Sequence, residues 1–262
     1  MPQISRVTFL VAYFVFLVAI VSAQKSGDAI DGVQIVKRMA ARYASAKSYR
    51  DEGAVRSISR LKNGQTQEIN TFRTFFVRPK KFRFEWNDVG GPQNGDLNIV
   101  WTGGDEVFSY SPLLGMEKEE DLDMAIAGAT GISRGAAHSI PVLLFPDKSG
   151  FRVTEMNRIT LTGEERFEGA NCYVVKGFHP FGFAIELWIG KDDFLLRRIL
   201  EHNDDGTVDE EIRRNISVDG AISDDSFRFT PPKPGERLIG CLSIAIIPIG
   251  LAVYFGSYRK TL

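Results

Sequence analysis

A serine in a glycine-flanked frame is the first place in this sequence where chemistry could reside. Gly131-Ile132-Ser133-Arg134-Gly135 matches G-x-S-x-G, the frame that sets a nucleophilic serine on a sharp turn between a strand and a helix of an α/β sheet. Here a helical pattern precedes Ser133, the rest of the chain reads as antiparallel meander, and no downstream Asp–His pair accompanies it. The context predicts a hinge between two helical stretches instead. His138, His179 and His202 are scattered and form no HExxH or His/Cys cluster for zinc. Glu201, Asn203, Asp205 and Gly206 imitate the start of a calcium-binding loop, but Ile212 stands where the bidentate Glu is required. Cys172 and Cys241 have neither metal-site spacing nor the pattern of a disulfide framework. Asn215-Ile216-Ser217 is a glycosylation sequon within a strand pattern, meaningful only in a eukaryotic secretory pathway. These readings assign no catalytic residue, no metal and no cofactor, and point to a non-enzymatic role.

The positive signal is apolar. Phe72, Phe76, Phe82, Phe84 and Trp86 lie in the stretch 71–86, two aromatic runs hinged at Arg78-Pro79. Side chains alternate across a strand, so Phe72, Thr74 and Phe76 share one face, and Phe82, Phe84 and Trp86 share one face of the next strand. Lys81, Arg83 and Glu85 point the other way. A sheet face made of large rings must be covered by a helix, closed on itself as a barrel, or kept for an apolar ligand. Aromatics in strands are most often core. Arg73, Arg78, Lys80 and Lys81 could draw anionic headgroups to the mouth of such a face, or could simply solvate a strand edge. The 262 residues carry a net charge of -1, 44% hydrophobic residues and 19 Phe. That composition supports a large apolar interior and gives no basic surface for nucleic acid.

The elements that must position this face are legible in order. Asp28 can cap a helix running to about residue 47, with Val33, Val36, Ala40 and Tyr43 as its apolar stripe. Strands follow at 52–62 and 65–77, joined at Asn63-Gly64, a strong hairpin signal. Further strands are expected from Lys81, at 97–102 and at 106–110. The pattern then turns helical at 117–129, with a second apolar stretch containing Ile140, Leu143, Leu144 and Phe145; Gly131 and Pro141 punctuate the pair. Two helices inserted within a meander predict a lid, and Ile140, Leu143 and Leu144 are its candidate ligand-facing residues. Strands resume at 158–161, 171–177, 183–190, 194–202, 208–218 and 226–229, for about ten or eleven in all.

Both ends of the chain suggest a membrane. Residues 1–23 read as a secretory signal peptide: Arg6, an apolar run at 7–20, then Val21-Ser22-Ala23 as a small-residue cleavage site. Residues 238–255 contain no charged residue and are followed by Arg259-Lys260, which predicts a transmembrane helix with the body of the protein outside the cytoplasm. A sorting tail removed after export is the alternative. Pro231-Pro232-Lys233-Pro234-Gly235 predicts a short, stiff spacer. The expected organisation is therefore a signal peptide at 1–23, one domain at 24–235, and an anchor with a short cytoplasmic tail at 236–262.

RPKKFRFEW, the isolated WTGGDEV, the helix pair around ATGISRGAA, ELWIGKDDFLLRRI and the closing FRFTPPKPGE together resemble the LolA/LolB-like periplasmic lipoprotein-carrier superfamily. The likeness is greatest to its branch of predicted periplasmic proteins and covers about residues 29–235. The resemblance implies a mainly β (α+β) fold: a half-open, strongly curved antiparallel β-barrel with an N-terminal helix and a mid-chain helical lid. It also implies that the interior takes up the acyl chains of a lipid or lipoprotein, and it transfers no individual ligand residue. The expected anchor is a departure from soluble carriers of the family. It favours a receptor tethered at the bacterial inner membrane on the periplasmic side, or an envelope sensor or scaffold with a protein partner.

Overall fold

The computed structural model describes residues 30–61, 64–89, 96–147 and 152–233. Within them the chain folds into eleven strands and four α-helices, plus two 3-10 turns. Helix α1 (Gly32–Ala44) opens the fold, followed by β1 (Ser48–Leu61), β2 (Gly64–Val77), β3 (Lys81–Val89), β4 (Leu97–Gly103), β5 (Glu106–Ser111) and β6 (Gly115–Glu119). Helix α2 (Leu122–Ile132) and the four-residue helices α3 (Ala136–Ser139) and α4 (Pro141–Leu144) come next. The 3-10 turn Val153–Glu155 leads to β7 (Asn157–Phe167), β8 (Ala170–Phe178), β9 (Ala184–Gly190), β10 (Leu196–His202) and β11 (Val208–Val218), and the turn Asp224–Phe227 follows.

All eleven strands belong to one antiparallel sheet in the order β6-β5-β4-β3-β2-β1-β11-β10-β9-β8-β7. The order follows the chain except that β1 also pairs with β11, which joins the two meanders at the centre. The sheet does not close, and β6 and β7 are its edges. Helices cover one face, called the inner face below. Helix α2 lies against β4, β5 and β6, whereas α1 lies against β7 and β8, with α3 and α4 between them. Gly32 allows the start of α1 to approach β7, since a Cβ there would stand 2.8 Å from the backbone nitrogen of Leu161. The outer face carries two apolar clusters. Leu97, Ile99, Trp101 and Tyr110 are covered by Phe229 of the C-terminal segment, and Cys172, Val174 and Trp188 pack with Phe167 and Leu200.

Several expectations need correction. Ile35, Val36, Met39 and Tyr43 form the buried stripe of α1, while Val33 is exposed and Ala40 half-buried. The expected helix at 117–129 starts late: Glu117, Lys118 and Glu119 extend β6, and Asp121 caps α2 by accepting from the Met124 nitrogen at 2.9 Å. Alternating charges could not distinguish a wet edge strand from the wet face of a helix. The expected strand at 226–229 is instead a 3-10 turn and an extended tail, because the outer face it packs on already has its strands paired. Strand β7 runs on to Phe167, well past the expected 161, its exposed charges hiding the pattern. Asp28, Asn63, the signal peptide at 1–23 and the transmembrane run at 238–255 lie outside the described residues. Among the described residues no helix is long and apolar enough to cross a membrane.

Candidate functional site

Phe72, Phe76, Phe82, Phe84 and Trp86 all lie on the inner face, none more than 4% exposed. Register puts Phe72 opposite Trp86, Thr74 opposite Phe84 and Phe76 opposite Phe82. The rings of Phe72 and Phe84 stack at 6.0 Å and those of Phe84 and Trp86 at 5.6 Å. Phe76 and Phe82 are joined by a residue the sequence reading left outside the candidate set. Phe145, which ends α4, meets them edge-on at 5.0 and 5.5 Å. Ile140, Leu143 and Leu144 are buried on the same covering segment.

The cover is fixed to the sheet by polar contacts to its backbone. Asn70 Nδ2 donates to the carbonyl of Ile132 at 3.2 Å, and Arg78 donates to those of Ala44, Ala46 and Leu144. Arg213 Nη2 donates to the carbonyl of Ala136 at 3.2 Å and to Ser139 Oγ at 2.6 Å. Arg134 and Gly135, between α2 and α3, both have positive φ. Ser133 is fully buried and its Oγ accepts from the Ala137 nitrogen at 3.1 Å, so it caps the turn between the helices.

Arg213 is the functional-looking residue the sequence reading missed. It sits on the inner face of β11, fully buried, with its guanidinium 4.6 Å from the centre of the Phe72 ring. Its Nη1 donates to Asp51 Oδ2 and its Nε to Glu211 Oε1, each at 2.5 Å. Tyr49 Oη donates to the same Asp51 oxygen at 2.5 Å, and Ser139 Oγ donates to Glu211 at 2.8 Å. Gly53, opposite both Phe72 and Arg213, leaves room for the ring: a Cβ there would stand 2.3 Å from it. Burial opposes the charge on Arg213, but Glu211 and Asp51 outweigh it and hold the guanidinium protonated. Burial raises the Glu211 carboxyl, against the pull of Arg213 and Ser139. The alternation Asp209-Glu210-Glu211-Ile212-Arg213 gave no sign that charges of β11 would face inward, because the same letters suit a solvated strand.

Beside this cluster a cavity of about 120 Å³ opens between β10, β11 and the cover. Val55, Val142, Val153 and Ile199 form its apolar walls; Glu201, Asp209 and Glu211 give three carboxylates, with Arg134 and His138 at the side of the cover. None of the eight residues expected from the sequence lines it. Glu201 and Asp209 face each other directly across the strands, an arrangement that disfavours ionising both. Burial, then the charges of Glu211 and Asp209, push Glu201 up to about 7. Among the described residues no group of His, Cys, Asp and Glu has the arrangement of a metal site.

The four basic residues expected near a mouth have other partners. Arg73 pairs with Glu85 at 2.7 Å, Lys80 with Asp105 and Lys81 with Asp224 at 2.6 Å each, and Arg78 holds the cover. The acidic run at 201–206 is a hairpin turn, where Asp205 accepts from the Thr207 nitrogen at 2.8 Å and Asn203 donates to Asp209 at 2.7 Å.

The family model described as "Predicted periplasmic protein (DUF2092)" matches residues 32–239, four-fifths of the chain and all of the folded body. The chain belongs to that family. It is the family of predicted periplasmic proteins whose motifs the sequence resembled. A LolA superfamily protein from Nitrosomonas europaea is 11% identical, with 77% of this chain and 99% of that one covered at a TM-score of 0.35. The Mycobacterium tuberculosis lipoprotein LppX is 12% identical over 73% of this chain and 96% of that one, TM-score 0.43. MucB, in a Pseudomonas aeruginosa MucA/MucB complex, is 14% identical over 76% of this chain and 61% of that one, TM-score 0.43. No curated protein matches the sequence.

Proposed function

We propose that this protein is a non-enzymatic periplasmic receptor for the acyl chains of a lipid or lipoprotein, held at the inner membrane by residues 236–262. In this reading the eleven strands form a half-open, strongly curved barrel, and α2, α3 and α4 are the lid across it. The observation that carries it is the way the aromatic face is closed. The cover consists of α2 and two helices of four residues each, tied to the sheet by side-chain contacts and by Phe145 on Phe76 and Phe82, without strand pairing. Such a cover can lift while the backbone ladder beneath it stays intact. The uncharged run at 238–255, followed by Arg259-Lys260, supports the tether and its orientation, and the family description supports the compartment.

The test is to purify the full chain from membranes, analyse extracts for bound lipid, and titrate it with a fluorescent fatty acid. No co-purifying lipid together with no uptake of the probe would sink the reading. Leu144→Asp refines it: the lid reading expects uptake to be lost while the sheet still melts cooperatively. Loss of fold and binding together would assign Leu144 to ordinary core. A second reading, an envelope sensor or scaffold for a protein partner, is favoured by one observation. Phe145 already fills the space between Phe76 and Phe82. It expects no lipid in the extract and a protein partner captured in membranes by cross-linking.

A further inference from the structure

The turn between β5 and β6 carries two exposed leucines beside its Pro112. Turns are usually built from Gly, Pro, Asn, Asp and Ser, and the β10–β11 turn at 203–206 is Asn-Asp-Asp-Gly. The β5–β6 turn instead offers Leu113 at 80% exposure and Leu114 at 67%, and Met116, the second residue of β6, is 52% exposed. Single exposed apolar side chains are ordinary, but three within four positions at one tip are not.

Strand directions place this tip. The register pairs Ser111 with Gly115, Leu61 with Gly64, Phe178 with Ala184 and His202 with Val208, so the β5–β6, β1–β2, β8–β9 and β10–β11 turns lie at one end of the sheet. Phe181, 83% exposed, is at the same end in the β8–β9 turn. The opposite end holds the β2–β3, β4–β5, β7–β8 and β9–β10 turns.

The C-terminal segment runs toward the apolar end. Asp224 pairs with Lys81 at the start of β3, the Arg228 carbonyl accepts from Arg83 two residues further along, and the Phe229 ring lies 5.1 Å from that of Tyr110. Tyr110 is the residue directly opposite Met116. At Phe229, four residues before the described chain ends at Lys233, the segment thus lies beside β5, the strand that leads into the tip. Covalent geometry keeps residue 238, where the uncharged run begins, within about 18 Å of Lys233.

We propose that Leu113, Leu114 and Met116 form an insertion tip that seats this end of the domain in the lipid bilayer. The bilayer is the occupant because the uncharged run begins five residues after Lys233, in a chain whose last ring contact is with Tyr110 of β5, the strand that leads into the tip. Neighbouring Glu117, Lys118 and Glu119 offer no net positive charge, so apolar insertion, not attraction to anionic headgroups, makes the contact. The inference rests on the tether reading above and extends it from one attachment point to two. It also fixes the domain's orientation, with the β4–β5 and β9–β10 turns pointing away from the membrane.

The experiment uses the full chain in phosphatidylcholine vesicles containing spin-labelled lipid. Cys172 is fully buried, so Leu114→Cys in a Cys241→Ser background gives one labelling site for an environment-sensitive fluorophore. Asp192→Cys in the same background is the far-end control, and the native chain labelled at Cys241 reports on the tail. The expected result is a blue shift and loss of emission at position 114 with none at position 192, unchanged when anionic lipid is added. Emission at position 114 as strong as at position 192 overturns the proposal. If Cys241 is quenched in that case, the tether stands and the tip fails; if it is bright, both fail. Quenching at position 114 with Cys241 bright keeps the tip and removes the tether. Quenching at position 114 only with anionic lipid also overturns it, since that would be electrostatic docking.

Discussion

Arg213 shows what a single buried charge does for this fold. One guanidinium faces two carboxylates, Asp51 and Glu211, and also reaches the cover through Ser139 and the Ala136 carbonyl. Removing one partner of a buried ion pair leaves the other charge without compensation and costs about 3–5 kcal/mol. Arg213→Met is therefore expected to lose stability of that order in urea unfolding, and Asp51→Asn/Glu211→Gln in the same chain to restore much of it. Recovery absent from the triple variant would mean that the guanidinium matters through its stacking on Phe72 rather than through charge. Glu201 gives a pH prediction. Its folded pKa, about 7, lies above the ordinary 4.5. The contribution is therefore fully present below the unfolded value and is lost as pH rises through about 7. The difference corresponds to roughly 3 kcal/mol as an upper bound. Glu201→Gln should flatten the fall in stability between about pH 5 and about pH 8 relative to the native chain, read from melts across that range. An unchanged slope would place the titration on another group.

At the scale of elements, the cover is the part built to respond. Phe145 is its main ring contact with the sheet. Truncating a buried Phe costs about 3–5 kcal/mol, less for a half-buried one. Phe145→Ala should raise amide exchange across 136–145 far more than across β1, β2 and β11. Equal increases in cover and sheet would show that the two open together and would remove the basis for a lid. The cover was readable in outline because Gly131, Ser133 and Pro141 punctuate a helical pattern. Its attachment was not, since Asn70 and Arg213 on strands and Arg78 in the β2–β3 turn are distant in sequence and meet backbone carbonyls, which every residue possesses.

For the whole molecule, an open sheet leaves two edges to protect. Strand β6 is five residues long and presents Glu117, Lys118 and Glu119, while β7 has two register shifts and carries Glu164, Glu165 and Arg166. Short, charged and bulged edges resist pairing with another copy. Replacing Glu117, Lys118 and Glu119 with Thr, Val and Thr should cause concentration-dependent association in light scattering without loss of secondary structure. A variant that stays monomeric would show that α2, which packs beside β6, already shields that edge.

The sequence by itself determined the local periods. Alternation in 71–86 determined the aromatic face, and the 3.6-residue pattern the longer helices, because each depends on neighbours in the chain. It also carried the family, through motifs spread over the folded body. The tertiary structure decided what depends on residues far apart. Pairing of β1 with β11 set Arg213 opposite Gly53 and beside Phe72, and so turned a charged strand inward. Pairing of β10 with β11 put Glu201, Asp209 and Glu211 around one cavity, whose lining includes none of the aromatics the sequence had nominated. A charged residue looks the same in sequence whether it meets water or a buried partner. Only the partner's position distinguishes the two.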